Sequence, residues 1–166
     1  MHQKDKMICL EIFSENDFEK LISWISNEED LIQFAGLIFS FPLTKEQLNN
    51  YIQTPEVNAY KVIYDNIHIG HAEINFTKNN PPKLCRILIG DKNFRGKGLC
   101  QQMVKVLLNI CKEKFNSSIV KLNVFDWNKS AISCYEKVGF KFNREKQKEV
   151  FVGDNKWISI NMRIEI

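Results

Sequence analysis

The sequence predicts an α/β (α+β) protein with one mixed, mostly antiparallel sheet of about seven strands, flanked by helices, and a parallel pair in the middle. Strand-like alternation and helical periodicity follow each other in the order strand, helices, three strands, helix, strand, helix, two strands. In the middle, a helical segment lies between two apolar strands, and such a unit requires a parallel strand pair. The length of 166 residues, without repeats or a linker, predicts a single domain over 1–166.

The N-terminal third predicts one strand followed by three short helices. Residues 7–13 alternate loosely, as a strand does. Ser14 then begins a helix, and a second short helix covers 28–35. Thr44-Lys45-Glu46-Gln47 is a capping box that begins a third helix, which Pro55 stops.

The rest of the chain predicts six strands and two helices. Asp65-Asn66 is a turn between the first two of these strands, which therefore form a hairpin. One helix begins at Gly98, where apolar residues recur at helical spacing, and another covers 128–138 with Gly139 at its C-terminal end. The predicted strands cover 59–64, 67–77, 84–89, 119–125, 140–152 and 157–166.

The composition excludes several classes of protein. Apolar residues make up 44% and charged residues 26%, which excludes a disordered or collagen-like chain. A net charge of +3 does not predict a nucleic-acid partner, which would need a clustered basic face. The most apolar stretch, 31–43, is interrupted by polar residues and is shorter than the ~20 residues of a membrane span. Because the N-terminus is polar and charged, we expect a cytoplasmic protein without a membrane partner.

The cysteines predict no disulfide framework. There are five of them, an odd number, and no two form a CxxC pair. Most lie in apolar segments, so we expect small buried side chains in a reducing compartment.

Two of only seven glycines flank Lys97 in Arg95-Gly96-Lys97-Gly98, between a buried strand and an amphipathic helix. The unpaired N–H groups of a helix start attract anions, and glycine lets a phosphate approach the backbone. The spacing matches neither the nucleotide-binding P-loop nor the dinucleotide G-x-G-x-x-G motif. Two interpretations remain: a short anion-binding turn, or a turn that needs glycine only for its geometry.

A second group of residues shares one face of the helix that follows residue 127. Asn128 and Tyr135 are separated by about 20° around a helix, and Ala131 lies on the same stripe. Taken singly, Asn128 is an ordinary N-cap and Tyr135 an ordinary core residue. Together, two polar groups framing an alanine indicate the lining of a narrow ligand channel.

These two segments together resemble the GCN5-related N-acetyltransferase family. The acetyl-CoA signature of that family, R/Q-x-x-G-x-G/A, corresponds here to Arg95-Gly96-Lys97-Gly98-Leu99-Cys100, with cysteine where the family prefers glycine or alanine. Its later signature, N-x-x-A-x-x-x-Y-x-x-x-G-F, is complete from Asn128 to Phe140. The order of elements also matches the family fold over nearly the whole chain.

The resemblance implies that the protein uses acetyl-CoA to acetylate an amine. Backbone amides from Arg95 to Cys100 would hold the pyrophosphate, and Leu88 and Ile89 would pair with the pantetheine arm. Asn128 would contact the cofactor arm, with Ala131 on the same face. Tyr135 would donate a proton to the departing thiolate, since a phenol stays protonated at neutral pH.

The amine must also lose a proton before it can attack. Glu73 is the candidate base, with His71 on the same strand face; the alternatives are an exposed polar row and a chain of water molecules. We expect Asn123 to line the cleft. His68 and His71 fall on opposite faces of a regular strand, so no metal site is predicted.

The acceptor is not identified by the sequence. The N-terminal helices show no acidic cluster that would indicate a polycation, and Trp127 and Trp157 are predicted to be core or interface anchors. A small-molecule amine, an amino acid and a protein N-terminal amine all remain open, as do a monomer and a homodimer. A different class of function, a non-catalytic acyl-CoA-binding module on the same fold, would have no use for a proton donor at Tyr135.

Overall fold

A computed structural model describes residues 6–166 of the chain. Within this range, seven strands and five α-helices follow one another in the predicted order. The strands are β1 (Ile8–Ile12), β2 (Val57–Tyr64), β3 (Ile67–Thr77), β4 (Asn80–Ile89), β5 (Ile119–Phe125), β6 (Lys141–Val152) and β7 (Asn155–Glu165). The helices are α1 (Phe18–Ser23), α2 (Glu28–Ala35), α3 (Lys45–Ile52), α4 (Leu99–Glu113) and α5 (Lys129–Val138), and a 3-10 turn, Glu15–Asp17, precedes α1.

Local capping determines where the helices begin. The side chains of Asn27 and Thr44 accept hydrogen bonds from the first turns of α2 and α3, as N-caps do.

Among residues 6–166, no helix combines the length and apolar character needed to cross a bilayer.

All seven strands form one sheet in the order β1-β2-β3-β4-β5-β7-β6. Every neighbouring pair is antiparallel except β4 and β5, which are parallel. The predicted mostly antiparallel sheet with a central parallel pair is therefore confirmed. Helix α4 supplies the crossover between the two parallel strands.

The core has two main parts. One includes the apolar faces of α4 and α5 packed against sheet residues such as Leu84 and Leu122. The other includes the apolar side chains of α1, α2 and α3, with Leu88 of β4 packed against them. Strand β4 therefore touches both clusters, since Leu84 packs in the first and Leu88 packs against the second.

Strand β4 begins earlier than the sequence predicts. It starts at Asn80 rather than at residue 84 and includes Pro81 and Pro82. Its register with β3 shifts between Asn75 and Thr77, beside these prolines. Proline is tolerated near the first residues of a strand and at irregular pairing, where its missing N–H is not needed by the ladder.

Candidate active site

The two parallel strands separate in the middle of the sheet. Their pairing consists of Lys83 with Lys121 and Leu84 with Leu122. Nevertheless β4 continues to Ile89 and β5 to the end of its own range. Within the described chain, the backbone of β4 beyond Leu84 therefore has no ladder partner on its β5 side. The carboxyl ends of the strands form an open notch lined by free backbone groups.

An irregularity in β4 lies at the closed end of this notch. Arg86 has φ of +48°, and the register with β3 shifts between His71 and Glu73. A positive φ is uncommon for a residue with a side chain, and such strain is concentrated at functional sites. A bulge bends and twists its strand, which is consistent with β4 turning away from β5 after Leu84.

The glycine turn lies between the end of β4 and the start of α4. Gly96 and Gly98 have φ of +72° and +74°, and an added Cβ would meet nothing within 4 Å at either position. Glycine is therefore favoured here by backbone conformation and not by packing. Gly98 caps α4 without a side chain, so the N–H groups of Leu99 and Cys100 have no partner within the helix. The Arg95 side chain donates from Nε to the carbonyl of Ile89 at 2.8 Å, which ties the turn to the end of β4.

Helix α5 carries the second predicted group of residues. The Asn128 side chain accepts a hydrogen bond from the N–H of Ala131 at 3.3 Å, so Asn128 is the N-cap of the helix. Tyr135 is 7% exposed and packs edge-to-face on Phe140. Burial raises the pKa of Tyr135 well above its ordinary value of 10.0, so the phenol keeps its proton at neutral pH.

A disulfide joins α4 to α5. Cys100, the second residue of α4, is bonded to Cys134, which precedes Tyr135, with Cα atoms 6.3 Å apart. Cys9 is exposed and Cys111 is buried. The expectation of small buried cysteines without a disulfide is wrong for the Cys100–Cys134 pair, because sequence spacing does not show that two helices bring these sulfurs together. It is also wrong for Cys9, which is exposed.

Glu73 lies in the interior and not on an exposed strand face. It is 0% exposed, and the Arg86 guanidinium binds its Oε2. Burial raises the pKa of Glu73, while the positive charge of Arg86 opposes that rise. The alternative of an exposed polar row is therefore wrong for Glu73 and for His71, which is also 0% exposed.

His71 is neutral and has a defined tautomer. Its Nδ1 lies 2.8 Å from the carbonyl oxygen of Arg86, so Nδ1 carries the hydrogen and donates. Burial lowers the pKa of His71 from 6.5 to about 4. The lone pair of His71 Nε2, the Glu73 Oε1 atom and the Tyr51 hydroxyl are buried without a partner among the described residues. Three such atoms around one ion pair indicate a polar interior suited to receiving a hydrogen-bonding ligand or water.

The two histidines of β3 lie on the same side of the sheet. His68 packs edge-on against Trp24, and His71 packs against Phe13 and Phe34, which all belong to or pack on the cluster of the N-terminal helices. The prediction of opposite faces is wrong because the register of β2 and β3 shifts beside His68, which breaks the two-residue alternation. Among residues 6–166, no three His, Cys, Asp or Glu side chains are grouped as metal ligands would be.

A cleft of about 250 Å³ is lined by carboxylates and indole rings. Glu29 and Asp30 come from the first turn of α2, while Trp127 follows β5 and Trp157 belongs to β7. The two rings pack edge-to-face with centroids 5.0 Å apart, and Trp127 is 41% exposed. Carboxylates and aromatic faces both attract cations. Two carboxylates of α2 therefore lie beside the indole rings in one cleft.

Asn123 lines a second cleft, of about 240 Å³. The Asn123 amide lies 2.9 Å from the amide of Asn161 and 3.0 Å from Lys83 Nζ. No carboxylate is among the described residues that line it, and ammonium groups from three strands surround it. These are Lys83, Lys121, Lys146 and Lys148. The two clefts thus differ in the charge of their lining: the carboxylates of the first attract cations, and the lysines of the second repel them.

The model of the acetyltransferase (GNAT) family matches residues 18–140. The chain belongs to the GNAT family. The match includes the glycine turn, the notch and helix α5, and the order of elements agrees with the expected fold.

Curated relatives match part of this GNAT protein. A probable spermine N(1)-acetyltransferase of Bacillus subtilis subsp. natto is 38% identical over 68 residues, which are 41% of this chain and 44% of the relative. A spermine/spermidine N(1)-acetyltransferase of Bacillus subtilis is 37% identical over a segment of the same length and coverage. The matched segment thus spans less than half of the length of these relatives.

Solved structures show the same fold over nearly the whole chain. Spermidine N-acetyltransferase from Vibrio cholerae, in complex with CoA and spermine, has a TM-score of 0.80 at 17% identity and covers 96% of this chain and 95% of its own. Aminoglycoside acetyltransferase AAC(6')-Ib, in complex with coenzyme A and kanamycin, has a TM-score of 0.72 at 18% identity and covers 95% and 94%. At such identities the likeness shows the fold alone.

Sequence reasoning missed three features of the site. Arg86 is a lone charge within the apolar run of β4, which is a usable signal for a buried ion pair. Trp127 directly precedes the N-cap Asn128, which places it near the start of α5. Glu29 and Asp30 have no such signal, because acidic residues are common in the first turn of any helix.

Proposed function

We propose that this GNAT protein is an acetyl-CoA-dependent N-acetyltransferase whose acceptors are small cationic amines of the polyamine class. The observation that carries the proposal is the notch between β4 and β5, which lies after β4's bulge and ends at the glycine turn. Tyr135, on helix α5, would supply a protonated phenol.

The residues present fit the cofactor. The unpaired amides at the start of α4 suit a pyrophosphate, because they add hydrogen bonds to the positive end of the helix dipole. The free β4 backbone at Leu88 and Ile89 suits the amide-containing pantetheine arm, which would extend the sheet as a strand does. Asn128 and Ala131 begin the helix that would flank that arm. Acetyl-CoA supplies a thioester carbonyl that an unprotonated amine attacks directly.

Tyr135 would donate its proton to the leaving sulfur. Its burial favours the neutral phenol, so the donor is present throughout the neutral pH range. A binding module without catalysis, the alternative function, would need only an apolar ring at this position.

Glu73 would receive the proton of the amine, directly or through water. Its Oε2 is held by Arg86, while its Oε1 is unpartnered, so one oxygen is positioned and the other is available. Its raised pKa brings the carboxylate closer to the range in which a general base works. His71 Nε2, which is also unpartnered, would lie beside Glu73 on the acceptor side, whereas Asn123 belongs to the lysine-lined cleft that a cationic acceptor would avoid.

The cleft of Glu29, Asp30, Trp127 and Trp157 supports a cationic acceptor. It pairs carboxylates with exposed aromatic surface, whereas the cleft at Asn123 is ringed by lysines. An acceptor with several ammonium groups would therefore enter beside α2. The names of the curated relatives, which are spermine or spermidine acetyltransferases, point to the same class of amine.

The first experiment measures release of the CoA thiol from acetyl-CoA with spermidine, spermine, kanamycin, an amino acid and a peptide with a free N-terminus. We expect turnover with the polyamines. Tyr135→Phe should lower kcat about 100-fold, the lower end of general acid contributions, and leave the Kd of acetyl-CoA within a factor of about two. Tight acetyl-CoA binding without turnover on any amine would support the binding module instead. Unchanged kcat in the variant would remove Tyr135 as the acid.

The second experiment tests the acceptor cleft. Glu29→Gln with Asp30→Asn should raise the KM for spermidine about tenfold, the effect of losing about 1.4 kcal/mol of charge interaction. Glu28→Gln is the matched control, since Glu28 lies in the same helical turn but does not line the cleft. Equal KM values in all three proteins would place the acceptor elsewhere.

A further inference from the structure

The disulfide links the two helices that form the proposed cofactor site. Cys100 is the second residue of α4, directly after the glycine turn, and Cys134 directly precedes Tyr135. We propose that Cys100 and Cys134 form a reversible thiol–disulfide site, modified by low-molecular-weight thiols and disulfides, whose oxidised form binds acetyl-CoA more tightly. This inference rests on the proposed cofactor site.

The charge of Cys100 is the first reason. In the reduced protein its thiol lies in the first turn of a helix of 15 residues. The positive end of a helix dipole stabilises a thiolate there. That thiolate would occupy the same favourable potential as the cofactor's pyrophosphate and repel it. Oxidation replaces the ionisable thiol with a neutral disulfide and leaves the amides to the pyrophosphate.

The cross-link itself is the second reason. The disulfide ties Cys100 of α4 to Cys134 of α5, and reduction removes that constraint. The adjoining groups are the Gly98 turn on one helix and Tyr135 on the other. The oxidised form holds these two parts of the site at one separation.

Burial indicates which sulfur reacts first. Cys134 is 7% exposed and Cys100 is partly exposed, so a small reagent reaches Cys100. In oxidation, the Cys100 thiolate attacks a low-molecular-weight disulfide and expels one thiolate, which leaves a mixed disulfide on Cys100. The Cys134 thiolate then attacks the Cys100 sulfur and expels the second. The two cysteine protons pass to the two departing thiolates, and two electrons pass from the cysteine pair to the reagent.

The test compares acetyl-CoA binding by the full chain after oxidised glutathione and after dithiothreitol, using calorimetry and intact mass to count thiols. Acetyl-CoA is the probe because it has no free thiol that would reduce the disulfide. Cys9→Ser is the background, because Cys9 is an exposed free thiol outside the site. We expect the oxidised protein to lose two thiols and to bind acetyl-CoA about five- to tenfold more tightly, as a unit charge removed at contact distance predicts.

Two variants separate the effect of charge from that of the lost cross-link. Cys100→Ala and Cys134→Ala both abolish the disulfide, but only the second retains the Cys100 thiol. Cys134→Ala should bind acetyl-CoA as weakly as the reduced protein, and Cys100→Ala should bind it more tightly. Failure to form the disulfide, equal acetyl-CoA affinity of the oxidised and reduced proteins, or equal affinity of the two variants would overturn the inference alone. Absence of acetyl-CoA binding in every form would overturn the proposed function as well.

Discussion

The neutral state of His71 makes the protein sensitive to acid. Burial lowers the pKa of this histidine from 6.5 to about 4, while the bond from its Nδ1 to the Arg86 carbonyl opposes the decrease. The unfolded chain exposes the imidazole to water and takes up a proton near pH 6.5. Because the folded pKa is the lower one, the unfolded state binds more protons between these values, and stability falls as pH falls.

The size of the effect follows from the two pKa values. The interval between 6.5 and about 4 is about 2.5 pH units, and each unit corresponds to 1.36 kcal/mol, so the full loss is about 3 kcal/mol. Most of that loss is complete by about pH 4.5. A loss of this size is a large fraction of the stability of an ordinary domain.

Urea unfolding between about pH 7.5 and pH 4.5 measures the effect. His71→Gln keeps a donor for the Arg86 carbonyl but has no titrating group, so its free energy of unfolding should fall by about 2–3 kcal/mol less than that of the wild type over this range. His68→Gln is the control, because the His68 side chain is 16% exposed whereas His71 is fully buried. Parallel pH dependences for the wild type and His71→Gln would show that His71 is not the buried neutral group described here.

Two further substitutions test the turn and the ion pair. Gly98→Ala should destabilise the protein by about 1 kcal/mol, because Gly98 has a positive φ, and it should also weaken CoA binding. Gly153→Ala is the control: Gly153 has a similar φ and similar free space but lies in the β6–β7 turn, so this variant should lose stability only. Calorimetry with CoA and thermal unfolding distinguish the two, and equal CoA affinity would remove the turn from the site. Glu73→Gln should lower the free energy of unfolding, measured with urea, by about 3–5 kcal/mol, because Arg86 is left buried and unpaired. It should also lower kcat more than it changes the Kd of acetyl-CoA. Adding Arg86→Met should recover stability but not kcat; recovery of both would mean that Glu73 only balances a charge.

The parts of the structure that depend on local sequence could be predicted. Helix caps at Thr44 and Asn128, the Asp65-Asn66 turn and the glycine turn all express preferences of a few neighbouring residues. The parallel pair also followed from element order, since a crossover helix between neighbouring strands imposes it.

The parts of the structure that depend on strand register and on the packing of distant segments could not be predicted. A bulge beside His68 reversed the expected side of that residue relative to His71, and nothing in a run of alternating residues shows where an extra residue is inserted. Cys100 and Cys134 are 34 residues apart, so their bond depends on how α4 packs on α5. Glu73 was predicted as the candidate base, but its buried ion pair depends on Arg86 from the next strand.

The predictable and the unpredictable parts correspond to the two halves of the proposed site, one for the cofactor and one for the acceptor. The cofactor half consists mainly of backbone groups: amides at the start of α4 and the open edge of β4. Backbone geometry requires particular residues at fixed spacing, so it leaves a motif in the sequence. The acceptor half consists of side chains brought from α2, from the end of β5 and from β7, and no spacing rule connects these segments. Its carboxylates and indoles can therefore be exchanged without disturbing the amides that would hold the cofactor. One fold can thus keep a single donor while different chains place different side chains, here two carboxylates and two indoles, at the proposed entrance for the amine.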